Sequence, residues 1–178
     1  MTSEKSASPC LNSAAFTRMD YPHRIWVIAL SLLLAFMLTA MPLPVWALPW
    51  RPAWIAMVLV YWCMALPERV GVITAWIIGL LLDVMHGSIL GQHAFGLAFV
   101  AYVVLQYHQR LRVFRLVQQA LVVGLIVFVY LLCMLWVYNL LGSVSYSFTY
   151  LCGAISSAVL WPWVYIVLRD VRRRARVA

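Results

Sequence analysis

At 178 residues the chain has the length of one ordinary domain, but 66% of it is hydrophobic and only 10% is charged, whereas a soluble domain is roughly half apolar and a quarter charged. Such a composition leaves too little polar surface for solution and no room for a separate catalytic module. The formal charge of +8 lies in loops and tails of an apolar chain. There it orients helices and meets anionic lipid headgroups; a nucleic-acid footprint would need it gathered on one soluble face, so no nucleic-acid partner is expected.

Residues 1–22 are polar, with Ser, Asn and Thr and no long apolar core, and are expected to be a disordered cytoplasmic tail. The first apolar run, residues 25–41, follows Arg18 and Arg24. It is not followed by a small-residue cleavage site and a soluble chain, so it is expected to be a retained span and not a signal peptide. Three prolines between Met41 and Trp50 remove backbone donors and predict an extended or turning connection at the interface.

The second and third segments, residues 53–66 and 70–84, are separated by Pro67-Glu68-Arg69. Both are short against the roughly 17–25 apolar residues that a crossing helix needs. Two readings stand: a tight hairpin that still crosses, anchored by Trp50, Trp54 and Trp62 near the headgroups, or a shorter pair packed against protein. The length criterion favours crossing. The fourth segment covers 93–107, the fifth 121–141 and the sixth 148–168, with an amphipathic linker from His108 to Arg115 and a basic tail over 169–178.

Positive charge falls before the first helix, at Arg69, from Arg110 to Arg115, and after the sixth helix, while the opposite loops carry only Arg51. Six spans put all four basic places on one face, as the positive-inside rule requires for cytoplasmic termini. The predicted fold class is therefore an all-α integral membrane protein, about six transmembrane helices in one compact bundle.

Cys10, Cys63, Cys133 and Cys152 show no CxxC or Cys/His spacing and read as small buried hydrophobes, not as disulfides or metal ligands. Asp83 is the one carboxylate inside or at the lip of a predicted membrane helix, where an unpaired ion costs at least about 2.5 kcal/mol. It ends a small-residue stripe, Ala75, Gly79, Asp83, continued by Gly87, a spacing that lets another helix approach closely. Arg51 is the expected ion-pair partner of Asp83, with His86 and His93 competing; the plainer reading is that Asp83 caps the end of the third helix. His86 and His93 flank a turn that contains Gly87 and Gly91, a spacing that is not diagnostic of a metal site. No P-loop, dinucleotide turn or ordered Ser/His/Asp set occurs, so no catalytic, cofactor or metal residues are assigned. Gly153 with Ser157 forms a second small-residue pair, and Trp136 with Tyr138 marks the outer end of the fifth helix.

Arg51-Pro52, Tyr61-Trp62, Pro67-Glu-Arg-Val-Gly71, Gly79-Leu-Leu-Leu-Asp83, Gly87 and Leu90-Gly-Gln-His-Ala94 resemble the rod shape-determining MreD family of Gram-negative bacteria. Tyr102, Arg110-Leu-Arg112, Phe114, Gln118-Gln119 and Trp161-Pro-Trp163 continue the resemblance. Only the long polar N-terminal tail departs from it. The resemblance implies a six-helix architecture similar to the substrate-capture subunits of energy-coupling-factor transporters, and no enzyme activity. It further implies work in the elongation machinery with MreC, with MreB filaments, and with RodA and its transpeptidase. The expectation is a non-enzymatic scaffold in which Arg51, Gly79, Asp83, His86, Gly87, Gly91 and His93 serve structure and partner binding, beside membrane lipids. A small-molecule or lipid-binding transporter-like subunit is the alternative, which requires a polar cavity; Thr74, Asp83, Asn139, Thr149, Ser156 and Ser157 are the candidates to line it. An enzyme acting on a lipid-linked precursor would need an acid cluster or a nucleophile with its base, and neither appears.

Overall fold

The computed structural model describes residues 21–42, 44–140 and 148–174, all of them helix or connection. The helices are α1 (Tyr21–Ala40), α2 (Trp54–Ala65), α3 (Val72–His86), α4 (Gln92–Val113), α5 (Leu116–Leu140) and α6 (Cys152–Arg174). Short 3₁₀ segments at Val45–Trp50 and Phe148–Leu151 precede α2 and α6. The polar tail expected over 1–22 falls outside the described residues except for Tyr21 and Pro22, which open α1.

Several boundaries differ from the sequence reading. The proline-rich connection winds into a 3₁₀ segment with Pro49 inside it. Its bonds run from the Ala47 N–H to the Pro44 carbonyl at 2.8 Å and from the Arg51 N–H to the Leu48 carbonyl at 3.2 Å, so the donors that proline lacks are not called on. The amphipathic linker is instead the end of α4, which stops only where Phe114 turns extended (φ −67°, ψ 146°). The basic residues from Arg169 to Arg174 are likewise helical, as the last turns of α6; residues 175–178 lie outside the described set.

α2 is the centre of the bundle. All ten residues from Ile55 to Met64 are buried, and the helix touches α1, α4, α5 and α6. Its 12 residues rise only about 18 Å at about 1.5 Å per residue, against roughly 30 Å of hydrocarbon. Such a short helix is tolerable at depth because neighbours complete its ends. The Ala53 N–H donates to Ser157 Oγ at 3.0 Å. At the other end Arg112 donates through Nε to the Met64 carbonyl at 2.6 Å and through Nη2 to the Ala65 carbonyl at 2.8 Å, which supplies donors and positive charge where a helix C-terminus needs both. Trp62, expected near the headgroups, is fully buried in this core. Its indole N–H donates to Ser31 Oγ of α1 at 2.8 Å, a polar contact that a buried indole requires.

The outward faces are apolar: Trp26, Leu30, Leu33 and Met37 of α1, Ile73, Trp76 and Ile77 of α3, and Leu121, Leu125, Leu132 and Trp136 of α5 are all exposed. Exposed large side chains in such number are what a lipid-facing surface presents. By length and hydropathy α5 and α6 can cross a membrane, and two shorter apolar helices run over Trp26–Ala40 and Val72–His86. The two ends of the bundle differ. One gathers the α3–α4 turn, the start of α2 and both 3₁₀ segments; the other gathers the end of α2 with Arg112, Arg169 and Arg172.

Candidate functional site

The site is built from the α3–α4 hairpin. Gly79 lets the two helices touch: a Cβ on it would stand 2.6 Å from the Ala94 nitrogen and 2.9 Å from the His93 carbonyl carbon, so any side chain forces the helices apart. α3 ends at Gly87, whose left-handed conformation (φ 61°) favours a residue without Cβ. The Ser88 N–H then donates to the Asp83 carbonyl at 3.1 Å and the Gly87 N–H to the Val84 carbonyl at 3.4 Å, closing the last turn in the Schellman pattern. Gly91, at φ 102°, opens α4 and again sits where an L side chain is strained.

Asp83 is completely buried, and its carboxylate caps α4 from α3. Oδ1 accepts from Ser88 Oγ at 2.9 Å and from the His93 N–H at 2.8 Å. Oδ2 accepts from the Gly91 N–H at 2.9 Å and the Ala94 N–H at 3.3 Å. Gly91 offers α4 no capping side chain of its own, so Asp83 supplies both the acceptors and the negative charge that a helix N-terminus favours. The expected Arg51–Asp83 ion pair does not form. Among the described residues the one ion pair joins Arg174 to Asp170 at 2.9 Å. Four donors already saturate the carboxylate, which leaves a guanidinium nothing to bind. His93 does partner Asp83, through its backbone and not its ring.

The His93 ring is buried and bridges two tyrosines of α5, with Nδ1 2.9 Å from the Tyr130 hydroxyl and Nε2 3.3 Å from the Tyr138 hydroxyl. A neutral imidazole satisfies this by donating to one phenol and accepting from the other. His86 lies beside it, ring centroids 5.4 Å apart. Its Nδ1 is 3.0 Å from the Leu82 carbonyl, which can only accept, so that nitrogen carries a proton.

Above these groups lies a cavity of about 410 Å³, walled by Leu48, Pro49, Pro52, Ile55, Leu82 and Leu131 and polar at Thr39, Arg51, His86, His93, Tyr130, Tyr138 and Tyr150. Of the predicted site residues, Arg51, His86 and His93 line it. Asp83, Gly79, Gly87 and Gly91 do not line it; they shape the α3–α4 hairpin that carries His86 and His93. Of the six polar residues proposed from sequence, Thr74, Asp83, Asn139, Ser156 and Ser157 do not line it; Ser157 instead accepts from the Ala53 N–H, and the side chain of Thr149 lies outside the described set. Of the tyrosines, the sequence reading named only Tyr138, as a marker of the outer end of the fifth helix, and did not single out Tyr130 or Tyr150. Tyr130 and Tyr138 stand eight residues apart on α5, hence on one face, and a mid-helix tyrosine whose hydroxyl must find a partner was the available signal.

Chemically the arrangement is one of positioning. Ser88 donates to the carboxylate and not to an imidazole, so the Ser88, Asp83 and His93 set is not a nucleophile with its base. No group of three His, Cys, Asp or Glu able to hold a metal occurs among the described residues.

The family model described as rod shape-determining protein MreD matches residues 23–171. The rod shape-determining protein MreD of Haemophilus influenzae is 35% identical over 153 residues, which is 85% of this chain and 94% of that protein. No solved structure matches.

Proposed function

The chain belongs to the MreD family of rod shape-determining membrane proteins, and from that premise we propose that it is a non-enzymatic scaffold of the cell-elongation complex, binding MreC in support of lateral peptidoglycan synthesis. In this reading six helices cross the inner membrane as one bundle over residues 23–168. Both termini are cytoplasmic, because the basic places then share one face. The observation that carries the reading is the cavity between the Asp83-capped hairpin and the proline-rich connection, which in that topology faces the outside. It is mainly apolar, and its two histidine rings are held by hydrogen bonds to Tyr130, Tyr138 and the Leu82 carbonyl. A preformed pocket of that kind suits an anchoring side chain from the MreC segment just outside the membrane, while the apolar flanks of α1 and α3 accept its membrane helix. RodA with its transpeptidase, and MreB filaments, are reached directly or through MreC.

A second reading has one observation in its favour. The cavity volume of about 410 Å³ lies within the roughly 300–1,000 Å³ of small-molecule sites, which fits a transporter-like subunit that captures a ligand or lipid.

Co-purification after detergent extraction separates the two. Recovery of MreC at a fixed ratio, lost in His86→Trp at the cavity wall while the melting temperature holds, supports the scaffold. A bound small molecule without a partner protein supports capture. Reporter fusions that place the termini on opposite faces would remove the six-span topology.

A further inference from the structure

A second cavity, of about 440 Å³, opens at the other end of the bundle, where the end of α2 meets the last turns of α4 and α6. Three guanidiniums line it, Arg112, Arg169 and Arg172, and no carboxylate does. The acids of the described chain are spent or distant: Asp83 caps α4 at the opposite end, Asp170 pairs with Arg174, and Glu68 is exposed and outside the lining. Arg112 is fixed by the Met64 and Ala65 carbonyls through two of its five N–H donors, which leaves three to offer. Arg169 and Arg172 make no hydrogen bond or ion pair with any described residue.

Tyr61 gives an independent sign. It is only 3% exposed and lines the cavity, yet its hydroxyl has no hydrogen-bond partner among the described residues. Its ring is fixed edge-on against Trp62 and Tyr165, with centroids 5.5 and 5.7 Å away, and the charges of Arg172 and Arg169 act on its phenol. The hydroxyl opens into the cavity as a free donor; among the described residues the buried side-chain nitrogen or oxygen without a partner is Trp161 Nε1. Three converging cations with no counter-charge define what would meet that donor: an oxyanion with several acceptor oxygens.

We propose that this cavity is a binding site for an anionic phosphate group, gripped by Arg112, Arg169 and Arg172 with the Tyr61 hydroxyl donating to one of its oxygens. Guanidiniums match phosphate oxygens in pairs. The lining also carries Met64, Ala65 and Leu66, an apolar side that suits the glycerol and first acyl carbons when the phosphate belongs to a lipid headgroup. The site is distinct from the general attraction of a basic tail to an anionic surface, because it depends on which arginines are present and not on how many.

The test uses the full chain in detergent, delipidated and titrated with phosphatidylglycerol, phosphatidylcholine or inorganic phosphate, with bound molecules counted by native mass spectrometry. Phosphatidylglycerol is expected to saturate at one high-affinity molecule per chain, and phosphatidylcholine is not. Arg169→Gln with Arg172→Gln should weaken that binding by about tenfold or more. Arg173→Gln with Arg174→Gln, which removes equal charge from outside the lining, should change it by less than about twofold. Tyr61→Phe should weaken binding with the lipid-free melting temperature kept, which guards against loss of fold. Displacement of the lipid by millimolar inorganic phosphate, with the same arginine dependence, would assign the site to the soluble ion; resistance to displacement assigns it to the headgroup. Equal weakening by the two double variants, equal binding of both lipids, or no saturable binding of either anion overturns the proposal.

Discussion

Replacing Asp83 by Asn keeps the side-chain shape and removes the charge, which isolates what the carboxylate does. Each carboxylate oxygen serves one donor at the half-buried rim, Ser88 Oγ or the Gly91 N–H, and one in the buried interior, the His93 or the Ala94 N–H. An amide has a single acceptor oxygen, so either orientation turns an NH₂ group toward one rim donor and one interior donor. The rim donor can turn to water; the interior one cannot. Losing a charge-assisted bond costs about 1.5–3 kcal/mol and stranding a buried donor about 1–3 kcal/mol, so the expected loss is about 2–4 kcal/mol. For a chain of this length that lowers Tm by roughly 5–15 °C, measurable by circular dichroism of the full chain in detergent. Hydrogen exchange should quicken locally at residues 91–94 and less elsewhere. A loss below about 1 kcal/mol, or unchanged exchange at those amides, would refute the view that Asp83 holds the start of α4.

Three other outcomes follow from the same geometry. Arg51→Ala and Asp83→Ala should be additive in stability, with a coupling below about 0.5 kcal/mol, since no ion pair joins them; a coupling of about 2 kcal/mol in a double-mutant cycle would restore that pair. Gly79→Ala, whose new methyl would collide with the Ala94 backbone, should cost about 1–3 kcal/mol through overpacking and still more as Leu, read as a falling Tm. Arg112→Met should keep much of the stem packing but leave two α2 carbonyls without donors. The expected cost is about 1–3 kcal/mol, seen as faster exchange in the last turn of α2; no change there would mean that water replaces the guanidinium.

What was legible in the sequence was the part governed by short-range rules. The small-residue stripe at Ala75, Gly79 and Asp83 announced a close helix approach, and Gly79 meets α4 backbone to backbone. Asp83 was marked as buried and in need of partners because a lone ion at that depth is costly. Its partners were misjudged. An ion pair with Arg51 is the partner that charge counting finds, whereas a carboxylate can be met as well by backbone N–H groups that no residue type reveals. The same blindness hid the cavity. Arg51, His86 and His93 were singled out in the sequence, but the rest of the polar lining is Thr39 and three tyrosines. Composition classes those tyrosines as aromatic bulk, and the convergence of Tyr130 and Tyr138 on His93 depends on how α5 rotates against α4. Trp62 was placed at the headgroups by its residue type, but ten consecutive buried residues make α2 a helix with no lipid-facing side.

That central helix also explains why a bundle with so few polar residues spends them at two places. A helix of 12 residues surrounded by protein at depth cannot leave its terminal amides and carbonyls to water, and in an apolar setting each unmet group costs several kcal/mol. Ser157 meets one end and Arg112 the other. Because α2 stops short, the longer helices around it extend past both of its ends and enclose a hollow at each, one beside the Asp83-capped turn and one beside Arg112. Both recesses are consequences of one short helix. Lengthening α2 by a turn at its start, with Pro52 and Ala53 drawn into regular helix, should therefore fill the first recess and leave the second intact. Loss of MreC from the first, with phosphate binding at the second unchanged, is the pattern expected if the two recesses are separate sites; joint loss would mean that they answer to a single packing arrangement.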